Sequence, residues 1–320
     1  MKTYDLLIIG GGPAGVAAGV YASRKKLQTL LVTEDFGGQS VVSEGIENWI
    51  GTIKISGADL AKSLENHLKA YAGDVVEIKT GNRIISIEKH TDYTEVNPLF
   101  ISKMKSSFGE EITEVISKTV LITTGSAHRK LPAKGADTFE HKGLTYCATC
   151  DGPLFSDTDV VVIGGGNAAL ESAAQLSAYC KSVTIINRSK TWRADPITVE
   201  KVLAKPNVNL ITPAEVVEVK GEQFVSSLLY KNSETGEEKE LAVNGIFVEI
   251  GMIPATSFAK DIVSLNEYNK IIVDPMTERT ETAGIWAAGD CTNGLYHQNN
   301  IAVGDAVKAL EDIYMSLSRR

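Results

Sequence analysis

Cys147 and Cys150 stand three residues apart, and Asp151 follows them directly. Two thiols at that spacing either hold a metal or open and close a disulfide. A structural zinc site needs four ligands, yet Cys180 and Cys291 form no second pair and His141 is the only histidine close by. The pair therefore reads as a redox centre, and no metal is expected. A helix beginning at the pair would lower one thiol's pKa through its dipole and supply the thiolate, the form that attacks disulfides. A carboxylate beside a reduced thiol, such as Asp151, serves as acid and base during exchange once burial strengthens its hold on a proton. Cys180 reads as buried core; Cys291, next to Asp290, reads as packing, with a redox role as the alternative.

Electrons for such a pair imply bound redox cofactors, and the sequence carries two glycine loops suited to dinucleotides. An apolar strand from Asp5 leads into Gly10-x-Gly12-x-x-Gly15 and an alanine-rich helix to about Lys25. The pattern recurs from Val160, with Gly164-x-Gly166-x-x-Ala169 and a helix to about Tyr179. In this motif the first glycine permits a tight turn, the second lets backbone approach a pyrophosphate, and the third packs helix on strand. The helix N-terminus then offers free N–H groups to the phosphates. Second strands follow at Thr29–Thr33 and Ser182–Ile186, and each half closes on an apolar strand ended by glycine, Gly125 and Gly251. Glu34 lies about 20 residues beyond the first loop, where an acid accepts from ribose hydroxyls; the alternative is an exposed turn acid beside Asp35. The matching stretch of the second unit, Asn187-Arg188-Ser189-Lys190-Thr191-Trp192-Arg193, has no carboxylate. Its cations are either partners for a 2′-phosphate or solvated loop charges.

Beyond Gly251 no third unit begins. A strand is expected near Ile271–Val273, then Gly284-Ile285-Trp286-Ala287-Ala288-Gly289-Asp290, then a helix from about Ile301. This tail returns to complete the first unit. The fold class is α/β: two Rossmann-like FAD/NAD(P)-binding domains, the second inserted in the first. Residues 1–128 with 250–320 form a discontinuous FAD-binding domain, because the late Gly289-Asp290 belongs to it; residues 129–249 form the NAD(P)H-binding domain with the cysteine pair. Pro132, Gly135 and Gly251–Pro254 are the candidate crossings. Leu60, Leu64 and Leu68, after Ser56-Gly57, predict an amphipathic helix.

Composition narrows the partners. The 320 residues hold 32 Lys+Arg against 40 Asp+Glu, a net charge of −8 with no basic block, so a nucleic-acid backbone is not expected. No apolar run approaches the roughly 18 residues of a membrane helix, and the N-terminus enters its first strand with no basic leader. Four cysteines are too few for a secreted disulfide framework. A cytoplasmic protein without membrane partners is the expectation.

Over essentially its whole length the chain resembles the low-molecular-weight thioredoxin reductases. The matching strings are Gly10-Gly11-Gly12-Pro13-Ala14-Gly15, Gly37-Gly38-Gln39, Glu47-Asn48-Trp49, Cys147-Ala148-Thr149-Cys150-Asp151, Gly164-Gly165-Gly166-Asn167 and Ala287-Ala288-Gly289-Asp290. The resemblance implies a homodimeric enzyme passing electrons from NADPH through FAD and a Cys147–Cys150 disulfide to thioredoxin. It implies that Cys147 attacks the substrate disulfide, Cys150 faces the flavin and Asp151 handles protons. For FAD it adds Pro13, Ala14, Gly38, Gln39, Asn48, Gly125, His297, Gln298 and Asn299 to the glycine loop, Glu34, Gly289 and Asp290. For NADPH it implies Gly165, Gly166, Asn167, Ala168, Arg188, Arg193 and Gly251. Family members rotate the inserted domain so that nicotinamide and cysteine pair reach the flavin in turn.

Two departures bear on the electron donor and the flavin. The family reads the 2′-phosphate with His-Arg-Arg-x-x-x-Arg, where this chain has Asn187-Arg188-Ser189 and keeps Arg193. One charge-assisted contact is worth about 1.5–3 kcal/mol, so a lost arginine weakens NADPH binding roughly ten- to hundredfold. NADH or another donor is therefore an alternative. The family's Arg-Gln beside the flavin is His297-Gln298 here, followed by Asn299-Asn300. A small-molecule dithiol oxidase is a second reading, against which Asp151 counts because such relatives tend to replace that acid. The flavoprotein of alkyl hydroperoxide reductase is a third neighbour; a version with a thioredoxin-like extension is not expected in a sequence that opens on its first strand.

Overall fold

Leu6 and Ile8 enter one buried cluster, and Leu7 and Ile9 enter another. Their strand, Thr3–Gly11, is thus apolar on both faces, as a parallel sheet covered on both sides requires. Each such side chain contributes about 1.5–3 kcal/mol when removed from water. In the computed structural model, which describes residues 2–43 and 45–318, this strand lies inside a seven-stranded sheet. It pairs in parallel with Thr29–Phe36 on one side and Ile112–Ile122 on the other. Val76–Lys79 extends the first edge in parallel, while Phe100–Ser106 and Asn82–Lys89 add antiparallel strands to the second. The late strand Ile285–Ala287 pairs in parallel with the C-terminal end of Ile112–Ile122.

The sheet belongs to a compact unit built from both ends of the chain, Met1–Ala127 with Ile253–Arg320. Three helices supply its first apolar cluster: Pro13–Arg24, Gly57–Ala72 and Asn299–Ser318. Gly57–Ala72 starts where Ser56 caps it by accepting from the Asp59 amide, and it buries Leu60 and Leu68 with Leu64 half-covered.

His128–Met252 forms the second compact unit. Its five-stranded sheet is parallel throughout, in the order Val208–Ile211, Ser182–Ile186, Asp159–Ile163, Gly245–Val248, Leu144–Thr145. Alternation repeats here: Val161 and Ile163 face one cluster, Val160 and Val162 the other. A separate antiparallel sheet of Ala214–Gly221, Val225–Asn232 and Glu238–Ala242 contributes Val216, Val219 and Leu228 to the first of these cores.

The structure departs from sequence expectation at several points. Ile271–Val273 is no strand: Ile271 makes only isolated bridges, to Leu265 and to Thr292. Its side chain is nonetheless fully buried, so the apolar signal came from packing rather than a ladder. The second loop's helix is Asn167–Leu176, shorter than expected, because its last turn loosens into single hydrogen bonds through Tyr179 and Cys180. The chain passes from the first unit to the second at Ala127–His128, ahead of Pro132 and Gly135, whereas the return at Met252–Ile253 lies inside the expected Gly251–Pro254 stretch.

Candidate active site

Cys147 and Cys150 are joined as a disulfide, their Cα atoms 5.3 Å apart. Strand Leu144–Thr145 delivers the pair to a helix of only four residues, Ala148–Asp151. That is too short for the extended dipole expected from the sequence, since a macrodipole sums over aligned peptides. What the sulfur has instead is one direct donor: the Cys150 amide points at Cys147 Sγ at 3.1 Å. The Thr145 hydroxyl donates to Asp151 Oδ2, and the Cys147 amide donates to Thr145 Oγ1 at 3.4 Å. Behind the pair, Tyr146 stacks on His128 with ring centroids 5.1 Å apart. Burial, then the Glu140 charge and hydrogen bond, raise the Tyr146 phenol above its ordinary range, so it stays protonated.

The other two cysteines are inert by the same physics. Burial pushes Cys180 and Cys291 each up to about 11. Cys180 packs in the second unit's core, and Cys291 Sγ lies against the carbonyls of Ile122 and Ala288. Among the described residues no group of three or more His, Cys, Asp or Glu side chains is arranged to hold a metal.

In the first unit the glycine loop opens onto a cavity of about 640 Å³. Gly10, Gly12, Pro13 and Ala14 line it, as do Glu34, Gly38 and Gln39 from the second strand and the turn after it. Gly125, Gly289, Asp290 and Asn299 complete the sequence-predicted set on its walls. Gly15 lies behind the wall, packed so closely that a Cβ there would stand 1.8 Å from the Gly10 carbonyl oxygen. Helix Pro13–Arg24 starts at Gly12 with no side-chain cap. Glu34 is exposed and accepts from the Ser107 hydroxyl at 3.1 Å.

Asn48, His297 and Gln298 do not line that cavity but are tied to its rim. Asn48 Nδ2 donates to Gln298 Oε1 at 3.1 Å, and Ser40 donates to Asn299 Oδ1 at 2.9 Å. His297 Nδ1 lies 3.5 Å from Asp290 Oδ1, while its Nε2 is 2.6 Å from Lys270 Nζ. Lys270 carries no motif, and only the return of the tail brings it here. Burial lowers its amine below the ordinary lysine range, toward the neutral form. Arg83 and Phe258 on the cavity wall were equally silent in the sequence.

In the second unit the basic stretch folds back over the glycine loop. The Arg193 amide donates to the Gly165 carbonyl at 2.9 Å, and the buried Asn187 side chain holds the Thr191 carbonyl at 3.3 Å. Lys190 is drawn to Glu234 at 2.7 Å. Arg188 and Arg193 are exposed and make no ion pair among the described residues. Gly166 begins the next helix, again with no side-chain cap, followed by exposed Asn167 and Ala168; Asn167 Oδ1 accepts from the Asp195 amide at 2.9 Å. Gly251 adopts φ +102° and its carbonyl accepts from Arg129 at 2.9 Å.

Comparison with known proteins places this geometry. The family described as pyridine nucleotide-disulphide oxidoreductase matches residues 4–306. The chain belongs to that family. Thioredoxin reductase from Streptococcus pyogenes MGAS5005 is 34% identical with a TM-score of 0.87, each chain covered to 99%. Thioredoxin reductase from Giardia duodenalis is 30% identical with a TM-score of 0.88, covering 99% of this chain and 100% of the other. These neighbours put the oxidoreductase in the low-molecular-weight thioredoxin reductase branch. Among curated proteins it is 38% identical over 309 residues to an alkyl hydroperoxide reductase component of Pseudomonas putida, covering 96% of this chain and 57% of that one. It is 37% identical over 308 residues to NADH dehydrogenase of Bacillus subtilis (strain 168), covering 96% of this chain and 57% of that one. The chain thus spans a little over half the length of these curated relatives.

Membership in this oxidoreductase family implies FAD and a pyridine nucleotide. The residues fit such groups. A Cβ on Gly12 would meet nothing nearer than Gly38 Cα at 4.0 Å, and one on Gly166 nothing within 4 Å, so backbone at both loops is open to a pyrophosphate. Both helices begin uncapped, leaving amides for phosphate oxygens. Among the described residues no helix is long and apolar enough to cross a membrane.

Proposed function

We propose that this flavin-dependent disulfide oxidoreductase reduces a protein disulfide, passing electrons from NADPH through FAD and the Cys147–Cys150 pair to thioredoxin or a thioredoxin-like protein. The observation that carries this reading is the Cys147–Cys150 disulfide with Asp151 hydrogen-bonded to the threonine that also holds Cys147. The first unit, with its cavity, would hold FAD through Gly12, Ala14, Glu34 and Asp290; the second would hold the nucleotide at Gly165, Gly166, Arg188 and Arg193. FAD, when bound, relays the nucleotide's two electrons one site onward.

Exchange then follows from the chain's own residues. With the pair reduced, Asp151 takes the Cys147 thiol proton, and the thiolate bonds to one substrate sulfur while the substrate S–S bond breaks. The departing substrate sulfur receives that proton. Cys150, deprotonated in turn, attacks Cys147; the mixed disulfide breaks, the Cys147–Cys150 bond closes and the second substrate sulfur leaves as a thiol. Two electrons and two protons have moved to the substrate. Function as a homodimer is part of the proposal and rests on the family resemblance.

A second reading keeps the chemistry and changes the ends of the chain of electrons. Asn187 and Ser189 stand where the family has cation donors, which favours NADH or another donor, and the 38% identity to the alkyl hydroperoxide reductase component supports a different disulfide partner. One anaerobic experiment decides between them. Flavin bleaching is followed with NADPH and with NADH, and turnover is measured with and without thioredoxin. Bleaching by NADPH and thioredoxin-dependent turnover are expected; bleaching by neither nucleotide rejects the donor, and turnover indifferent to thioredoxin rejects the acceptor.

A further inference from the structure

Both functions of the Thr145 hydroxyl are spent on the redox centre. It donates to Asp151 Oδ2, and its oxygen accepts from the Cys147 amide. The side chain is buried, and Thr145 is paired in the parallel sheet opposite Phe247, so the hydroxyl is mounted on a strand rather than a loop. The Asp151 amide donates to the Cys147 carbonyl at 3.0 Å, closing the turn from the other side. A carboxylate on one short side chain rotates freely unless a donor fixes an oxygen. Here one donor to that carboxylate, the Thr145 hydroxyl, also bonds the residue whose thiol must lose a proton.

We propose that Thr145 is a positioning residue for Asp151: its hydroxyl holds the carboxylate in one orientation toward the Cys147 turn during disulfide exchange. The proposal rests on the reading of Asp151 as proton carrier. The proton that Asp151 takes from the Cys147 thiol goes to the departing substrate sulfur, so Thr145 itself is neither oxidised nor deprotonated. A buried hydroxyl bonded to a catalytic carboxylate contributes through geometry, by holding its oxygen where the proton must be taken up.

The test uses the full chain loaded with FAD, its pair reduced anaerobically with dithiothreitol and freed of excess, and the aromatic disulfide DTNB as probe. Thr145→Val keeps the shape and removes the hydroxyl; Thr145→Ser restores it. The valine variant is expected to exchange roughly ten- to hundredfold more slowly, and the serine variant within about twofold of wild type. In an Asp151→Asn background, Thr145→Val is expected to add no further loss. A slow Asp151→Asn variant alongside a Thr145→Val variant of wild-type rate overturns the proposal, as does a Thr145→Val effect that persists undiminished in that background. Wild-type exchange by Asp151→Asn rejects the proton-carrier reading itself, and the proposal with it. Thermal midpoints and thiol counts confirm that each variant is folded, and Thr145→Ala runs through the same cycle should the valine variant unfold.

Discussion

The Ser172 hydroxyl donates to Glu249 Oε1 at 2.6 Å. Ser172 sits on helix Asn167–Leu176, which opens at the second glycine loop, and Glu249 follows strand Gly245–Val248. Burial pushes the Glu249 carboxyl up to about 7, against the downward pull of the Ser172 bond and with help from the Glu171 charge. The folded chain therefore holds this proton more tightly than the unfolded chain. Stability from it is complete below the ordinary carboxyl range near 4.5 and is lost as pH rises through about 7. At about 1.4 kcal/mol per pH unit, the loss reaches up to about 3 kcal/mol. Denaturant unfolding of wild type and Glu249→Gln, between about pH 5 and about pH 8, is expected to show the variant gaining on wild type as pH rises. Parallel curves would mean that the carboxylate is already charged throughout.

Among the described residues Arg188 and Arg193 are exposed cations beside the second loop without a carboxylate partner, while Lys190 is taken by Glu234. If they read a 2′-phosphate, Arg188→Ala or Arg193→Ala raises the KM for NADPH roughly tenfold or more and leaves NADH within about twofold. Steady-state kinetics with both nucleotides measures this directly. Equal losses for the two nucleotides would assign the arginines to the shared pyrophosphate instead.

Cys150→Ser separates the two halves of the electron path. Reduction of the flavin by nucleotide does not require the disulfide, so bleaching is expected to continue. Reduction of a protein disulfide by the proposed relay would require it, because a mixed disulfide on Cys147 would then have no resolving thiol. Turnover is expected to fall at least about a hundredfold, toward background. Turnover that survives would remove the Cys147–Cys150 relay from the mechanism.

What the sequence made legible is what local patterns encode. The Leu6-Leu7-Ile8-Ile9 run announced an apolar strand, and the structure divides those side chains between two cores. The same held for Val160–Ile163, and the Ser56 cap marked its helix start. Less visible were features decided by distant neighbours. Ile271 reads as strand from its apolar company, but the chain around it offers only isolated bridges. Lys270 meets His297 across 27 residues of tail, and no spacing announces that contact. The cysteine pair's helix stops after one turn because Gly152-Pro153 follows and the backbone tightens into a 3₁₀ turn, Gly152–Phe155. Thr145 is two residues from Cys147, yet its role depends on the turn that brings Asp151 back to it.

Two glycines of the first loop predict opposite phenotypes. A Cβ on Gly15 would stand 1.8 Å from the Gly10 carbonyl oxygen, a backbone atom that cannot yield without moving the strand from the helix. Gly15→Ala is therefore expected to cost at least about 1–3 kcal/mol through overpacking and to lower the thermal midpoint, with flavin lost as a consequence. A Cβ on Gly12 would meet only Gly38 Cα at 4.0 Å, so the protein tolerates it; the space it fills is the approach a pyrophosphate would use. Gly12→Ala is expected to keep the thermal midpoint of the flavin-free protein while FAD binds more weakly. Midpoints of flavin-free protein and FAD titrations of both variants distinguish the cases. An unfolded Gly12→Ala, or a Gly15→Ala of wild-type stability, would contradict the division of labour between close packing and cofactor approach.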